Sequence, residues 1–357
     1  LRSGHRYEAL AKKYGGALRT DRDLVGELWR DRPALPKNPI YVLPESVTGR
    51  GAAEKLSQIR EVIRGKDAAG LLLTKLDDIM WLFNIRGSDV RCNPVALSYV
   101  FFTPETAYLF VQREALPKDV SAYLSSLGAE IREYGEAYAF LRGYPYPAKK
   151  KVLCDLRHIN YAFLHILEER ADFLFVRNPT EELKAIKNET ELARIREYFL
   201  LDSVAVTKFS YWVKTYYTGK EAETAPLTEL SAAIKIDGLR AEIEGFCGAS
   251  FPTIAAYGKN GAIVHYEATP EAYAECRPEG MLLVDSGGQY LGATTDVTRT
   301  FVLGRITEEM KRQYTLCCAA CLRLGTVKFL HGCTGVSLDV LARAPLWALG
   351  LDYKHGT

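Results

Sequence analysis

The sequence predicts an α/β chain in two successive parts, and three observations carry that reading. Between Ile40 and about Val176, short apolar runs alternate with amphipathic stretches, which is the pattern of a layered α/β unit on a mixed sheet. At Asn178-Pro179-Thr180-Glu181 a helix-start signal marks a boundary. Asn178 can cap, Pro179 suits the first helical position, and Glu181 favours the positive end of the helix dipole. Beyond it, long helical patterns precede a hairpin-like run, Met281 to Leu303, that brings the carboxylates Asp285 and Asp296 onto neighbouring strands.

The bounds are those of a soluble protein. A chain of 357 residues can bury the cores of two ordinary domains. Its 46 basic and 44 acidic residues nearly cancel, so nothing asks for a nucleic-acid or membrane partner. No run approaches the roughly 18 apolar residues of a membrane span, and no charged-then-apolar leader opens the chain. Its eight Cys lack the paired spacing of a disulfide framework or a double CxxC zinc site, which fits the reduced thiols of a cytoplasmic protein. Cys318-Ala-Ala-Cys321 falls in a helical stretch and reads as helix packing.

In chain order, helix-like patches at Tyr7–Tyr14 and Leu24–Trp29 precede a proline-studded connector, Arg32 to Pro39. Strands are expected at Gly70–Thr74, Leu97–Thr103, Ala107–Val111, Lys151–Cys154 and Asp172–Val176, and helices at Ala52–Arg64, Pro117–Ser126 and Asn160–Arg170. Arg86 and Asp89 read as a loop ion pair, and His158 and His165 as surface or packing residues. After a break near Asn188, a long helix should bury Leu192, Ile195, Phe199, Val206, Phe209 and Val213 as one stripe. A helix over Leu227–Leu239 follows, then strands at Ala249–Ala255 and Gly261–Tyr266, the latter ending near His265. Helices over Thr307–Leu330 and Gly335–Leu349 close the order.

The chemistry concentrates in Met281 to Phe301. The apolar run Met281 to Val284 reads as a buried strand that delivers Asp285, and Ser286-Gly287-Gly288 turns the chain. In the β-branched return segment, Thr294 to Leu303, alternation puts Asp296, Thr298 and Thr300 on one face and Val297, Arg299 and Phe301 on the other. Paired carboxylates on apolar strands repel and lose hydration, so they need a cation, a shared proton or a basic partner. A hard divalent ion such as manganese or magnesium suits oxygen ligands better than zinc does. The competing reading is a solvated hairpin whose Asp residues form turns. The spacing does not fit an EF-hand loop. His265 admits two readings as well, a hydrogen-bonded structural residue or a site residue.

Asp285-Ser-Gly-Gly-Gln-Tyr290 and Thr294-Thr-Asp296-Val-Thr-Arg-Thr300 resemble the metal-binding segment of the cytosolic-type aminopeptidase P (Xaa-Pro aminopeptidase) family, of the creatinase or pita-bread fold. Gly261-Ala-Ile-Val-His265-Tyr266 is similar to that family's substrate-site histidine segment, and Leu351-Asp-Tyr-Lys-His355-Gly-Thr357 to the start of its next histidine motif. Trp81 to Asp89 and Asn93-Pro94 resemble its middle domain.

The resemblance implies a creatinase-like α/β domain over 36–177 and a partial pita-bread (α+β) catalytic domain over 178–357, preceded at 1–35 by the tail of an amino-terminal domain. It implies a metallo-aminopeptidase that hydrolyses the amino-terminal Xaa-Pro bond with a hydroxide activated by two divalent cations, manganese in this family. Asp285 would chelate one metal, Asp296 would bridge both, and His265 and His355 would bind substrate and the developing negative charge. The expected partner is a peptide with proline second, and the expected assembly a cytoplasmic homodimer. The family's further His and Glu ligands would lie beyond Thr357, so the expectation is an incomplete, inactive piece. The alternatives are a creatinase-like or methionine-aminopeptidase-like hydrolase, since the fold hosts several chemistries, or a non-catalytic peptide-binding domain.

Overall fold

Residues 4–15, 18–19, 22–219 and 225–352 are described by the computed structural model. They form two compact units, one of residues 1–197 with 291–293 and one of 198–290 with 294–357. His355 lies outside the described residues.

The first unit opens with helices α1 (Gly4–Tyr14) and α2 (Leu24–Leu28), close to the expected patches. Then come β1 (Tyr41–Val42), α3 (Glu45–Thr48), α4 (Ala52–Gly65), β2 (Gly70–Leu73), α5 (Leu76–Leu82) and β3 (Ile85–Arg86). The remainder is β4 (Ser98–Phe102), β5 (Ala107–Val111), α6 (Lys118–Ser126), β6 (Ala129–Glu133), α7 (Ala137–Gly143), β7 (Val152–Cys154), α8 (Tyr161–Arg170), β8 (Phe173–Phe175) and α9 (Pro179–Ala185). Six strands make a sheet in the order β6-β5-β4-β2-β7-β8. It is mixed: β2 runs antiparallel to β4 and parallel to β7.

Alternation sorts the side chains of that sheet between two cores. Leu71, Leu73, Val100, Phe102, Leu109 and Val111 pack with Leu56, Ile59 and Ile63 of α4 and with Leu124 of α6. Leu72, Phe101 and Phe110 point the other way, onto Leu141 of α7 and Phe163 and Leu167 of α8. A strand covered on both faces has no need of polar alternation, which is why Gly70-Leu-Leu-Leu73 is wholly buried. Several elements escaped the sequence reading, among them the two-residue strands β1 and β3 and the single-turn α3. Strand β6 is the charged edge strand Ala-Glu-Ile-Arg-Glu, and α5 and α7 are each seven residues long, too short for a clear period.

The expected ion pair between Arg86 and Asp89 is not formed. Arg86 donates to the carbonyls of Met80 and Ile85, while Asp89 accepts from the backbone N–H groups of Asn38 and Leu97. Each partner finds backbone groups that the short connections leave unsatisfied. His165 is half-exposed beside Glu168 and Glu169, whereas His158 bonds Glu181 at 2.9 Å.

The long helix α10 (Glu189–Thr215) starts at the expected break, with Asn188 and Glu191 capping each other. Its buried stripe is offset from the expected one. Tyr198, Asp202, Ala205, Phe209 and Val213 face inward, and Phe199 is 40% exposed. The offset follows from Asp202, a charged residue that a hydrophobicity pattern assigns to the solvent side.

In the second unit come α11 (Glu229–Ala241), β9 (Phe246–Ala249), β10 (Ile254–Tyr257), β11 (Met281–Ser286), β12 (Gly288–Tyr290), β13 (Ala293–Thr294) and β14 (Val297–Val302). Helices α12 (Glu308–Thr326) and α13 (Gly335–Trp347) follow. One sheet has the order β10-β11-β14 and another β13-β12-β9. Phe209 and Val213 of α10 and Ala232 and Ile236 of α11 pack on Leu282, Val284 and Phe301, the inward side of the β11/β14 ladder. Cys318 and Cys321 lie in the expected helix, but Cys321 is exposed rather than packed. All eight thiols are free.

Three expected strands are corrected, the first being Ala249–Ala255, which is split because residues 250–253, with Pro252, connect β9 to β10. Gly261–Tyr266 is not extended: a 3-10 helix over Gly258–Ala262 leads into a turn in which His265 takes the left-handed conformation, φ 56°. The return segment is interrupted, since Thr295 and Asp296 separate β13 from β14. Thr295 is fully buried and turned toward Asp202, and that contact breaks the run.

Candidate metal and substrate site

Asp285 occupies β11 opposite Ile254 of β10 and Thr298 of β14. Its Oδ1 accepts a hydrogen bond from Thr298 Oγ1 at 2.8 Å. The β11/β14 ladder ends at the pair Ser286 and Val297, so Asp296 stands one residue beyond it. There its carboxyl meets that of Asp285. Partial desolvation, then the charge of Asp285 and a hydrogen bond with it, raise the Asp296 carboxyl above the ordinary carboxylate range. Two carboxyls that close share a proton or a cation, because two bare negative charges repel. The structure therefore brings the two expected ligand residues together, and an all-oxygen donor pair that resists double ionisation fits a hard divalent cation. A groove of about 400 Å³ is lined by Asp296, Thr298 and Arg299 on the strand side and by Phe199, Ser203 and Thr207 on α10.

The strands approach closely because residue 287 is glycine. A Cβ at Gly287 would stand 2.0 Å from the Thr295 carbonyl oxygen and 2.4 Å from Ser250 Oγ. Beneath the pair lies a buried polar node. Asp202 and Arg240 are 1% and 0% exposed and meet at 2.7 Å through Nε and Oδ1 and at 3.2 Å through Nη2 and Oδ2. The same Oδ1 accepts from Tyr290 OH at 2.7 Å and Thr295 Oγ1 at 2.9 Å, and Arg240 Nη2 reaches the Ser286 carbonyl at 3.4 Å. Burial works to raise the Asp202 carboxyl, but its bonds to Arg240, Tyr290 and Thr295 outweigh that and hold it below its ordinary value.

His265 is exposed in its turn and does not line the groove. The loop that carries it is fastened by Glu229, which is fully buried at the start of α11. Glu229 accepts from the backbone N–H of Tyr257 and of Ala274, both at 2.6 Å, from Asn260 Nδ2 at 3.0 Å and from Tyr266 OH at 2.7 Å. Sequence reasoning missed Asp202, Arg240 and Glu229. The one local signal was Asp202, an acid within the helical stripe four residues after Tyr198 and seven before Phe209.

Among the described residues, one group of three potential ligands lies within 4.8 Å, namely Asp155, His158 and Glu181 in the first unit. It is an ion network. Arg157 donates to both carboxylates, at 2.5 Å and 3.1 Å, and Arg177 adds a further bond to Glu181. Guanidinium groups already supply the positive charge a cation would bring.

Residues 31–191 match the Creatinase/Prolidase N-terminal domain family and residues 193–357 match Metallopeptidase family M24. The chain is 34% identical to Aminopeptidase P1 of Arabidopsis thaliana, over 98% of this chain and 60% of that protein. It is 37% identical to a probable Xaa-Pro aminopeptidase P of Sordaria macrospora, over 97% and 58%. The solved structure of an X-prolyl aminopeptidase from Caenorhabditis elegans, described as a cytosolic enzyme with a di-nuclear active site, superposes with a TM-score of 0.91 at 32% identity, covering 100% of this chain and 59% of that one. An Xaa-Pro dipeptidase from Bacillus anthracis, at 21% identity and TM-score 0.61, shares the fold. The chain thus spans about three-fifths of the length of these aminopeptidase relatives. No helix among the described residues is long and apolar enough to cross a membrane.

Proposed function

Since the chain belongs to the creatinase/pita-bread metallopeptidase family, with a creatinase/prolidase amino-terminal domain ahead of its M24 part, we propose that it serves an aminopeptidase that releases an amino-terminal residue when proline follows. The observation that carries the proposal is the joined carboxyl pair of Asp285 and Asp296 beside an open groove. The Xaa-Pro aminopeptidase names of its relatives support the substrate class. Asp285 and Asp296 would hold two divalent cations, with manganese the ion proposed on hard oxygen donors. When bound, such a pair supplies Lewis acidity and lowers the pKa of a water.

The chain's own residues supply the rest. Thr298, by donating to Asp285 Oδ1, fixes the orientation of that carboxylate. His265, exposed on a loop held by Glu229, donates a hydrogen bond to the substrate carbonyl as negative charge develops there, and His355 is proposed to share that role. The working form is proposed to be a cytoplasmic homodimer.

The test compares Asp296→Asn with His265→Ala in the full-length protein. Asp296→Asn keeps shape but removes charge, so metal content and turnover of an Xaa-Pro peptide fall together. His265→Ala keeps its metal while kcat/KM drops by about 10²-fold or more. A His265→Ala protein with a lowered Tm and normal activity per folded molecule removes His265 from the site, and an Asp296→Asn protein with full metal content removes Asp296.

A further inference from the structure

We propose that the buried Asp202–Arg240 pair is a positioning device for the two carboxylates, setting through Thr295 and Ser286 the separation at which Asp285 and Asp296 accept divalent cations. The inference rests on the metal-binding reading of Asp285 and Asp296.

The β11/β14 ladder does not by itself reach Asp296. Ladder pairing between β11 and β14 stops at Ser286 and Val297; beyond it β12 and β13 pair, and the Thr295 N–H donates to the Gly288 carbonyl at 2.9 Å. The node below adds ties to both segments. Asp202 Oδ1 holds Thr295, the residue before Asp296, at 2.9 Å, and Arg240 Nη2 holds the carbonyl of Ser286, the residue after Asp285, at 3.4 Å. Thr295 Oγ1 in turn accepts from the Gly288 N–H at 3.0 Å, which closes the loop between the two strands. One ion pair thus holds the Thr295 hydroxyl on one side of the site and the Ser286 carbonyl on the other.

Stability alone is a poor reason for such a pair. Removing two charges from water costs several kcal/mol per ion, and apolar residues of similar volume often serve as well. Arg240 also keeps a buried Nη1 without a hydrogen-bond partner, a further cost that packing would not select. A fixed geometry for ligands at the surface is what the arrangement provides. Outer partners of this kind change metal affinity by about 10- to 100-fold when removed.

The experiment titrates metal-free, full-length protein with Mn²⁺ alone, by calorimetry well below the Tm, and records the metal-free Tm separately. Thr295→Val, which removes the hydroxyl and keeps the volume, is expected to weaken Mn²⁺ binding by about 10- to 100-fold, and Thr295→Ser to restore it. A purely structural role would lower the metal-free Tm and leave the affinity of the folded protein unchanged. If Thr295→Val does not fold, Tyr290→Phe removes one hydroxyl from the same Asp202 oxygen and serves the same comparison. Wild-type affinity in the folded variant, alongside loss of binding in Asp296→Asn, overturns the positioning role and leaves the metal site standing. Wild-type affinity in Asp296→Asn overturns the metal site, and the positioning role with it.

Discussion

Gly287 is where a single missing methyl group decides the site. Its neighbours are the Thr295 carbonyl and Ser250 Oγ, and a Cβ there would overlap backbone, which cannot swing aside as a flexible side chain would. Ser250 Oγ also donates to that carbonyl at 2.8 Å, so the contact is tied from both sides. Gly287→Ala must push the segment carrying Asp296 away from the end of β11. The expected cost is about 1–3 kcal/mol in chemical denaturation, with weaker Mn²⁺ binding in the same preparation. An alanine variant with unchanged denaturation midpoint and affinity would show that the approach is not tight in solution. The string Ser286-Gly287-Gly288 announces a turn, but the sequence does not say that one of its glycines is required by closeness rather than by φ.

At the level of elements, the first turn of α11 does two jobs. Thr228 and Ser231 cap the helix reciprocally, at 2.9 and 3.0 Å, which leaves Glu229 free to gather donors from the loop between β10 and β11. Burial first, and then the bond to Glu229 and its charge, push the Tyr266 hydroxyl up to about 12, so it stays protonated and donating. Glu229→Gln keeps the volume but presents an amide NH₂ to groups that are themselves donors. A buried donor left unsatisfied costs about 1–3 kcal/mol. The expected result is faster amide exchange across residues 257–274, with β11 and β14 still protected. Unchanged protection of that loop would show that other contacts hold it.

For the molecule as a whole, acid should weaken the first unit through a carboxylate network. Burial works to raise the carboxyls of Asp155 and Glu181. For Asp155 the side-chain and backbone bonds from Arg157 and the Asn178 N–H more than offset that, and it falls to about 2. For Glu181, bonds from Arg157, His158 and Arg177 do the same, also to about 2. Both sit below their unfolded values, so the unfolded chain binds more protons as pH falls. The stabilisation is complete above the unfolded carboxylate range and is lost progressively toward pH 2. For Asp155 it is on the order of 2 kcal/mol. Pulse-labelled hydrogen exchange of the six-stranded sheet should therefore show stability level above about pH 5 and declining below it. Asp155→Asn should lower the plateau and flatten the decline. A wild-type curve with no slope between pH 5 and 2 would show that this network does not set the acid stability of the unit.

What could be read along the chain was what local pattern encodes. Gly70 to Leu73, Ser98 to Phe102 and Ala107 to Val111 are apolar runs of strand length, and they are strands. Asn178 caps and Pro179 opens a helix, because capping is settled within three residues. That Asp285 and Asp296 would come near each other was also legible, since one short hairpin carries both. The polar groups that hold this arrangement were not. Asp202 meets Arg240, Tyr290 and Thr295 across sequence separations of 38, 88 and 93 residues, and Glu229 meets its loop donors across 28 to 45. Whether a carboxylate is solvated or buried depends on which donors the packed helices and strands bring to it. That choice is made only when the elements dock, because desolvation and pairing are properties of the assembled interior and not of any segment within it.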